Sequence, residues 1–362
     1  MQHGHDRSDV PHRWPSTLHA PSRPPKLVYL DLLHWIGLSK AYTGHPDGEK
    51  HRAVLEALIN ARDSGNALFP ISDSTIAEIS LIQKRRHRED LCGAIEILSR
   101  FFVVTSRSMI SIHEIENMFD ELAGPRSTPI PSVDYLDWGI TRAFGIDSNL
   151  RVFDESGADV TEGVRVARLS GPDAFDEMIH RAEIDLARGI IIGPPPEEET
   201  YMRSLGWLPA HEYDNSGIRA RQEHDLQEKF RFDRRWQRGR IRDVVSANEI
   251  SVELMSHLDD AANSRSVTMS DLFPTTHHAR VAFDSMPSFD VAVTLKTEYH
   301  RDSNHRWTSN DIHDIDALGS TLPYCDVVVT DKAAASQIRR SGLDIRLNTI
   351  VLASIADLPA IL

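Results

Sequence analysis

Two short apolar segments that each run into an aspartate constrain the fold of this chain most strongly. Lys26–Leu30 precedes Asp31, and Val327–Val329 is followed by Thr330 and Asp331. Segments this short and apolar are typical of strands buried on both faces of a parallel sheet. Because ligands bind at the carboxyl ends of such strands, we expect both aspartates to lie at one edge of the sheet.

The composition is that of a globular protein with an acidic charge balance. The chain has 362 residues, is 40% hydrophobic and 26% charged, and carries a formal net charge of −14. This excludes a basic nucleic-acid coat, although a local basic patch or bound metal ions can still attract a phosphate backbone. The two cysteines, Cys92 and Cys325, provide neither a disulfide framework nor zinc-ligand spacing, which is typical of the reducing cytoplasm. No apolar run predicts a transmembrane helix or a secretory signal, so we expect a cytoplasmic protein with no membrane partner.

Strand and helix patterns alternate at the two ends of the chain but fade in its middle. We therefore predict an α/β protein with a central, mainly parallel sheet. The predicted parts are a flexible N-terminal segment (1–25), an α/β core (26–105 and 287–362) and a large, mostly helical insertion (106–286). The strands are expected at 26–30, 67–71, 101–105, 326–330 and 345–351.

Acidic residues accompany these strands at several points. Glu78 lies in the helix that follows the second strand, and Asp311 and Asp314 are three residues apart on one face of a later helix. Carboxylates gathered at one edge repel each other unless a cation holds them, so they indicate a divalent metal site. The candidate ligands are Asp31, Glu78, Asp311, Asp314 and Asp331.

Ordinary structural roles are alternatives for several of these carboxylates and their neighbours. Asp311 is also placed to cap the acidic helix, and Thr330 either orients a carboxylate or simply ends a strand. Asp316 lies off the face that Asp311 and Asp314 share, so we expect it to be solvated. Asp326 opens its strand and should face the opposite end of the sheet.

The ordered acidic set resembles the pattern of the PIN-domain nuclease superfamily. In that pattern an Asp follows the first strand and an acidic residue lies in the helix after the second strand. A further Asp opens a later helix, and a last Asp follows the next strand, often as Thr-Asp. Here these positions are Asp31, Glu78, Asp311 or Asp314, and Asp331; Asp314, seventeen residues before Asp331, fits the usual spacing better.

The resemblance covers 26–105 and 287–362, and it implies a PIN-like, Rossmann-like three-layer sandwich. It also implies a metal-dependent endoribonuclease that hydrolyses phosphodiester bonds of single-stranded RNA with Mg²⁺ or Mn²⁺. Asp31, Asp314 and Asp331 would be ligands, with Glu78 a ligand or a residue that positions water. Such a protein can act as a homo-oligomer or under a regulatory protein partner.

Two other functions remain open from the sequence. One is a catalytically inactive PIN-like scaffold that binds RNA or protein. The other is a Mg²⁺-dependent phosphatase on a Rossmann-like fold, although the Asp-x-Asp-x-Thr motif usual after its first strand is absent from Asp31–Trp35. A dinucleotide-binding enzyme is disfavoured because no Gly-x-Gly-x-x-Gly follows a strand.

Three basic segments are candidates for contacts with a phosphate backbone. Lys84–Arg88 follows the Glu78 helix, Lys229–Arg240 interleaves arginines with aromatic residues, and His300–Trp307 precedes the acidic helix. We favour interpreting Lys84–Arg88 as a solvated helix end. We favour interpreting Lys229–Arg240 as a solvated helix face. For the third, a structural loop is an equal alternative.

Overall fold

A computed structural model of the protein describes residues 24–128, 130, 134–146, 152–161, 163–164, 172–232 and 239–362. The predicted flexible segment 1–25 lies outside these residues except for its last two prolines. No helix within the described ranges is long and apolar enough to cross a membrane.

A four-stranded parallel sheet forms the centre of the fold. Its strands are β1 (Lys26–Leu30), β2 (Ala67–Leu68), β5 (Val327–Val329) and β6 (Ile350–Leu352), in the order β2–β1–β5–β6. Strands β1 and β5 pair in register, with Leu30 opposite Val329, so they end side by side. The predicted mixed α/β fold with a mainly parallel sheet is thus confirmed.

A separate, two-stranded antiparallel sheet is linked to the chain that follows β2. Strand β3 (Phe102–Val104) pairs with β4 (Leu136–Trp138), and a parallel bridge from Ile71 to Val103 connects β3 to the chain just after β2. Strand β4 was not predicted, and it lies in the section expected to be mostly helical. The section 106–286 therefore contributes to the β-structure as well as supplying helices.

Helices account for much of the remaining described chain. The predicted last strand at 345–351 is wrong at its beginning, because Ile345 lies in a helix and the strand starts at Ile350. The helices are α1 (Leu32–Tyr42), α2 (Glu49–Asp63), α3 (Asp73–Ser80), α4 (Arg85–Ser99), α5 (Arg107–Ala123), α6 (Pro172–Ile192), α7 (Glu199–Ser204), α8 (Ser216–Phe230), α9 (Ile241–Glu249), α10 (Met255–Asn263), α11 (Met269–Leu272), α12 (Thr276–Asp284), α13 (Pro287–Arg301), α14 (Ser309–Thr321), α15 (Lys332–Ser341) and α16 (Leu343–Leu347).

Apolar side chains leave both faces of the parallel sheet, as the alternation of residues along a strand requires. Val28 and Leu30 pack in a cluster with Trp35 and with buried residues of α2 and α4. Tyr29 and Val328 point to the other face and pack with apolar residues of α13, α14 and α15. With helices packed against both faces, the strand ends are the places where polar side chains gather.

The section 106–286 shares apolar clusters with the two end segments. Ala187 and Ile191 of α6 join the cluster that contains Val28. Phe119 of α5 and Leu258 of α10 pack with Phe289 of α13. Helices from section 106–286 therefore pack against elements that position the acidic residues.

Candidate carboxylate site

Asp31 and Asp331 meet at the carboxyl edge of the sheet because β1 and β5 end together. The backbone N–H of Asp31 donates to the carbonyl of Val329 at 3.0 Å, which continues the pairing of the two strands by one residue. The hydroxyl of Thr330 donates to Oδ2 of Asp31 at 3.1 Å. Thr330 is 3% exposed and therefore holds this carboxylate in a fixed orientation.

Asp331 also begins a helix. Its Oδ1 accepts hydrogen bonds from the N–H groups of Ala333 at 2.5 Å and Ala334 at 2.9 Å, which makes it the N-cap of α15. Within the described ranges, no group donates to its Oδ2. One oxygen is thus used for the fold while the other has no hydrogen-bond donor.

Glu78 is brought to this edge by α3. The N-cap of α3 is Ser72, whose hydroxyl accepts the N–H of Thr75 at 3.1 Å. The Tyr29 hydroxyl of β1 lies 3.3 Å from the Ser72 hydroxyl and 3.2 Å from that of Thr75, which ties the helix to the strand. No described residue donates a hydrogen bond to the Glu78 carboxylate.

Asp311 and Asp314 differ in their surroundings although they share a helix face. Oδ2 of Asp311 accepts the N–H of Thr308 at 2.7 Å and its hydroxyl at 2.8 Å, completing a capping box at the start of α14. Asp314, one turn later, accepts a single hydrogen bond, from the Asn310 amide at 3.2 Å. The capping role foreseen for Asp311 is thus present, and Asp314 is the freer carboxylate.

The carboxylates perturb one another. Burial and the neighbouring Asp314 and Asp31 raise the pKa of Glu78 to about 8. Burial, Asp31, Asp331 and Asp311 raise the pKa of Asp314 to about 7. Burial also raises the pKa of Asp31, with a contribution from Asp331, against the opposing effects of Thr330 and His34. The structure therefore gathers Asp31, Glu78, Asp314 and Asp331 within electrostatic reach of each other.

Two further residues at this site were missed from the sequence. His34 is 8% exposed, its Nε2 lies 3.3 Å from the carbonyl of Thr330, and burial lowers its pKa. Burial and the proximity of Asp314, Asp311 and Asp331 raise the pKa of the Tyr299 phenol on α13. His34 was detectable as a residue three positions after Asp31 in a first helical turn, whereas no local pattern identifies Tyr299.

The suitability of this site for a metal depends on charge and donor type. Carboxylate oxygens are the ligands that Mg²⁺ and Mn²⁺ prefer, and a cation would remove the mutual repulsion that raises these pKa values. Within the part of the chain that the structure describes, no three or more His, Cys, Asp or Glu side chains form a group that could hold a metal ion. The carboxylates thus fit a divalent cation chemically without forming a preassembled ligand set.

Asp316 contradicts the prediction that it is solvated. It accepts hydrogen bonds from Arg107 at 2.7 Å and from Nη2 of Arg219 at 2.9 Å. Although burial opposes the effect, Arg219 and Arg107 hold the pKa of Asp316 well below its usual range. Asp326 behaves as predicted, because its Oδ2 accepts the N–H of Leu27 at 2.8 Å at the opposite end of the sheet.

The first basic segment, Lys84–Arg88, is mainly structural in this fold. It begins α4, and Arg85 and Arg88 donate to the carbonyls of Gly193 at 2.6 Å and Ile192 at 2.8 Å, where α6 ends. These contacts show that two of its arginines are not simply solvated.

The other two basic segments lie in section 106–286 and before α14. Of Lys229–Arg240, residues 233–238 lie outside the described residues, and Phe232 is 87% exposed. In His300–Trp307, His300 bonds Glu223 at 2.9 Å and Trp307 is buried, which fits the structural alternative for those two residues.

Comparison of the chain with protein-family models, with curated proteins and with solved structures finds no match. The resemblance to PIN-domain nucleases consequently remains a prediction from short motifs. The structure supports a class of site, an acidic cluster at the carboxyl edge of a parallel α/β sheet. A function for that cluster must be argued from its own residues.

Proposed function

We propose that the protein is a metal-dependent endoribonuclease that cleaves single-stranded RNA on a PIN-like, three-layer core in the cytoplasm. One observation carries the proposal. Four carboxylates from four separate parts of the chain lie at one edge of the parallel sheet, and the pKa values of three of them are raised partly by the others. Such repulsion opposes folding, and clustered perturbed carboxylates are typical of functional sites.

The chain offers a distinct role for each carboxylate. Asp31, oriented by Thr330, and Asp331, whose Oδ2 is unused, are suited to hold Mg²⁺ or Mn²⁺ together with Asp314. When bound, the ion supplies an activated water and neutralises charge on the leaving oxygen. Glu78 has a pKa of about 8, so it can accept or return a proton of the attacking water near neutral pH.

Neighbouring groups support this arrangement. Burial lowers the pKa of His34, which favours the neutral ring beside Asp31. The Tyr299 phenol, with its raised pKa, stays protonated and can donate a hydrogen bond at the site. The absence of a convincing nucleophile–base pair in the sequence also favours attack by water.

The second candidate is a catalytically inactive PIN-like scaffold that binds RNA or protein. It is favoured by one observation, namely that the described His, Cys, Asp and Glu side chains include no preassembled metal group. Under this hypothesis the acidic edge is a remnant whose carboxylates stay partly protonated near neutral pH. A cutting assay separates the two candidates.

The test measures cleavage of a fluorescent single-stranded RNA with Mn²⁺, Mg²⁺ or a chelator. We expect cleavage with either ion and a loss of at least about 100-fold in Asp31→Asn and Asp331→Asn. Asparagine retains the capping oxygen at position 331, so the variant should keep its fold. Asp259→Asn, at an exposed position of α10, is the matched control and should cleave normally.

Cleavage that survives in both site variants would refute the assignment. Binding of RNA without cutting under either ion would instead support the scaffold. A second readout does not depend on activity: Mn²⁺ binding near neutral pH should release protons from Glu78 and Asp314, detectable as a buffer-dependent enthalpy in calorimetry. A binding enthalpy that is the same in every buffer would contradict the proposed ligands.

A further inference from the structure

A cavity of about 370 Å³ lies far from the carboxylates, between α1, α2, α4 and α6. Tyr42 at the end of α1 lines it, whereas Asp31 precedes the start of the same helix, about 16 Å away along the axis. Arg62 and Arg100 also line it, and they come shortly before β2 and β3 respectively. The cavity therefore sits toward the amino ends of the strands, opposite the acidic edge.

Three arginines lie on the cavity wall. Arg62, Arg100 and Arg188 line it together with His180, and Glu96 is the acidic residue in the described lining. Arg188 pairs with both oxygens of Glu96 at 2.7 Å. Arg188 also pairs with Asp185 at 3.1 Å, and Arg62 pairs with Asp63. The wall therefore concentrates guanidinium donors, which an anion in the cavity can use in addition to these carboxylates.

Arg62 has a buried donor that the protein does not satisfy. The residue is 4% exposed, and its Nε and Nη2 donate to Oδ1 of Asp63 at 2.9 and 2.5 Å. Its Nη1 is buried and has no hydrogen-bond partner among the described residues. A buried guanidinium N–H without an acceptor is costly, and this one belongs to a residue that lines a cavity.

Arg100 is held in a backbone conformation that favours glycine. It ends α4 with φ of 50° and ψ of 33°, and Phe101 follows with φ of 56°. Burial and the proximity of Arg62 lower the pKa of Arg100, partly offset by Asp63 and Glu96. Arg62, near the end of α2, and Arg100, at the end of α4, are thus kept near each other, and an anion between them would add to the effect of Asp63 and Glu96.

The rest of the wall is apolar. Tyr42, Ile97 and Ile184 line the cavity beside the arginines. Gly93 allows this packing, because a Cβ there would lie 2.7 Å from Cε1 of Tyr42. The cavity thus combines an arginine-rich side with an aromatic and aliphatic side, and its volume lies in the range of small-molecule sites.

We propose that this cavity binds a small phosphomonoester of about nucleotide size, with the phosphate held by Arg62, Arg100 and Arg188. Arginine is the side chain best suited to this group because its planar donors match phosphate oxygens. The remainder of the ligand packs on Tyr42 and the two isoleucines. The site is separate from the carboxylate cluster, and its existence does not depend on nuclease activity.

Calorimetric titration of the full chain in a chelator, with AMP, inorganic phosphate and adenosine as probes, tests this proposal. AMP should bind, phosphate more weakly, and adenosine not at all. Arg100→Gly and Arg188→Gln should each weaken AMP binding about 10- to 100-fold, the effect of losing one charge-assisted hydrogen bond. Arg181→Gln, at an exposed position of the same helix as Arg188, is the matched control and should bind normally. Asp31→Asn should also bind normally.

The choice of Arg100→Gly protects the test from a folding artefact. Glycine fits the left-handed backbone at this position, so the variant should melt at the same temperature as the wild type or higher. Failure of the wild type to bind AMP and phosphate at about 1 mM, or unchanged binding in both arginine variants, would overturn the proposal. Equal binding of adenosine and AMP would overturn the role of the phosphate.

Discussion

Replacing Asp314 with asparagine should stabilise the folded protein at alkaline pH. The pKa of Asp314 rises from 3.8 to about 7 through burial and through Asp31, Asp331 and Asp311. Because the folded-state pKa lies above the unfolded one, this group's contribution to stability is full below about pH 4 and is lost as the pH rises through about 7. Asparagine has nearly the same shape, keeps an oxygen for the Asn310 amide and never ionises.

The size of the effect follows from the proton affinity. A tenfold difference in the proton affinity of Asp314 between the folded and unfolded chains corresponds to about 1.4 kcal/mol. The rise of its pKa from 3.8 to about 7 therefore corresponds to about 4 kcal/mol. Solvent and structural relaxation reduce this, and we expect Asp314→Asn to gain about 1–3 kcal/mol at about pH 8. For a chain of this length the gain corresponds to about 1–4 °C in Tm. The pKa of Glu78 should fall in the variant because Asp314 is a principal cause of its rise after burial.

The assay is calorimetric unfolding of wild type and variant at about pH 5 and about pH 8. The difference in Tm between the two proteins should be about a third as large at the lower pH as at the higher one, while Asp259→Asn follows the wild type throughout. A variant whose Tm equals or falls below that of the wild type at the higher pH would show that these carboxylates are not coupled as described. Under the proposed function the same variant also loses metal-dependent cleavage, a gain of stability at the expense of activity.

Three further predictions concern a helix cap, a buried ion pair and a closely packed glycine. Asp331→Ala should lose about 1 kcal/mol in urea unfolding because it removes the cap of α15, whereas Asp331→Asn should lose little. Lys296→Met should lose about 3–5 kcal/mol in the same measurement, since it removes the buried cation between Glu223 and Glu249, which then keep His300 and Arg107 as partners. Gly48→Ala should lower the free energy of unfolding by about 1–3 kcal/mol, because a Cβ there would lie 2.2 Å from the backbone of Lys40. Gly217→Ala, which has open space around it, is the control and should not be destabilised.

The parts of the fold that local sequence encodes were predicted well. Strand β1 has the predicted bounds, Lys26–Leu30, because an apolar run defines both of its ends. The acidic edge was predictable for the same reason. Asp31 and Asp331 each follow an apolar strand directly, and parallel pairing then brings them together.

The errors arise where distant contacts or backbone geometry decide the structure. Ile345 belongs to an apolar run that resembles a strand. Gly342 and Asn348, both in the left-handed region, instead bracket a short helix. Strand β4, Leu136–Trp138, has only three residues, and its pairing with Phe102–Val104 depends on a chain segment more than thirty residues away. No local pattern specifies such a pairing.

Asp316 shows how the middle of the chain affects the candidate site. It lies two residues after Asp314, so the two side chains project from nearly opposite sides of α14. Its partners, Arg107 and Arg219, are 209 and 97 residues away in sequence, which is why the sequence favoured a solvated aspartate. By binding one side of α14, these arginines fix the rotation of the helix and direct Asp314 toward Asp31 and Glu78. Section 106–286 therefore helps to position the acidic site, although none of the four carboxylates belongs to it.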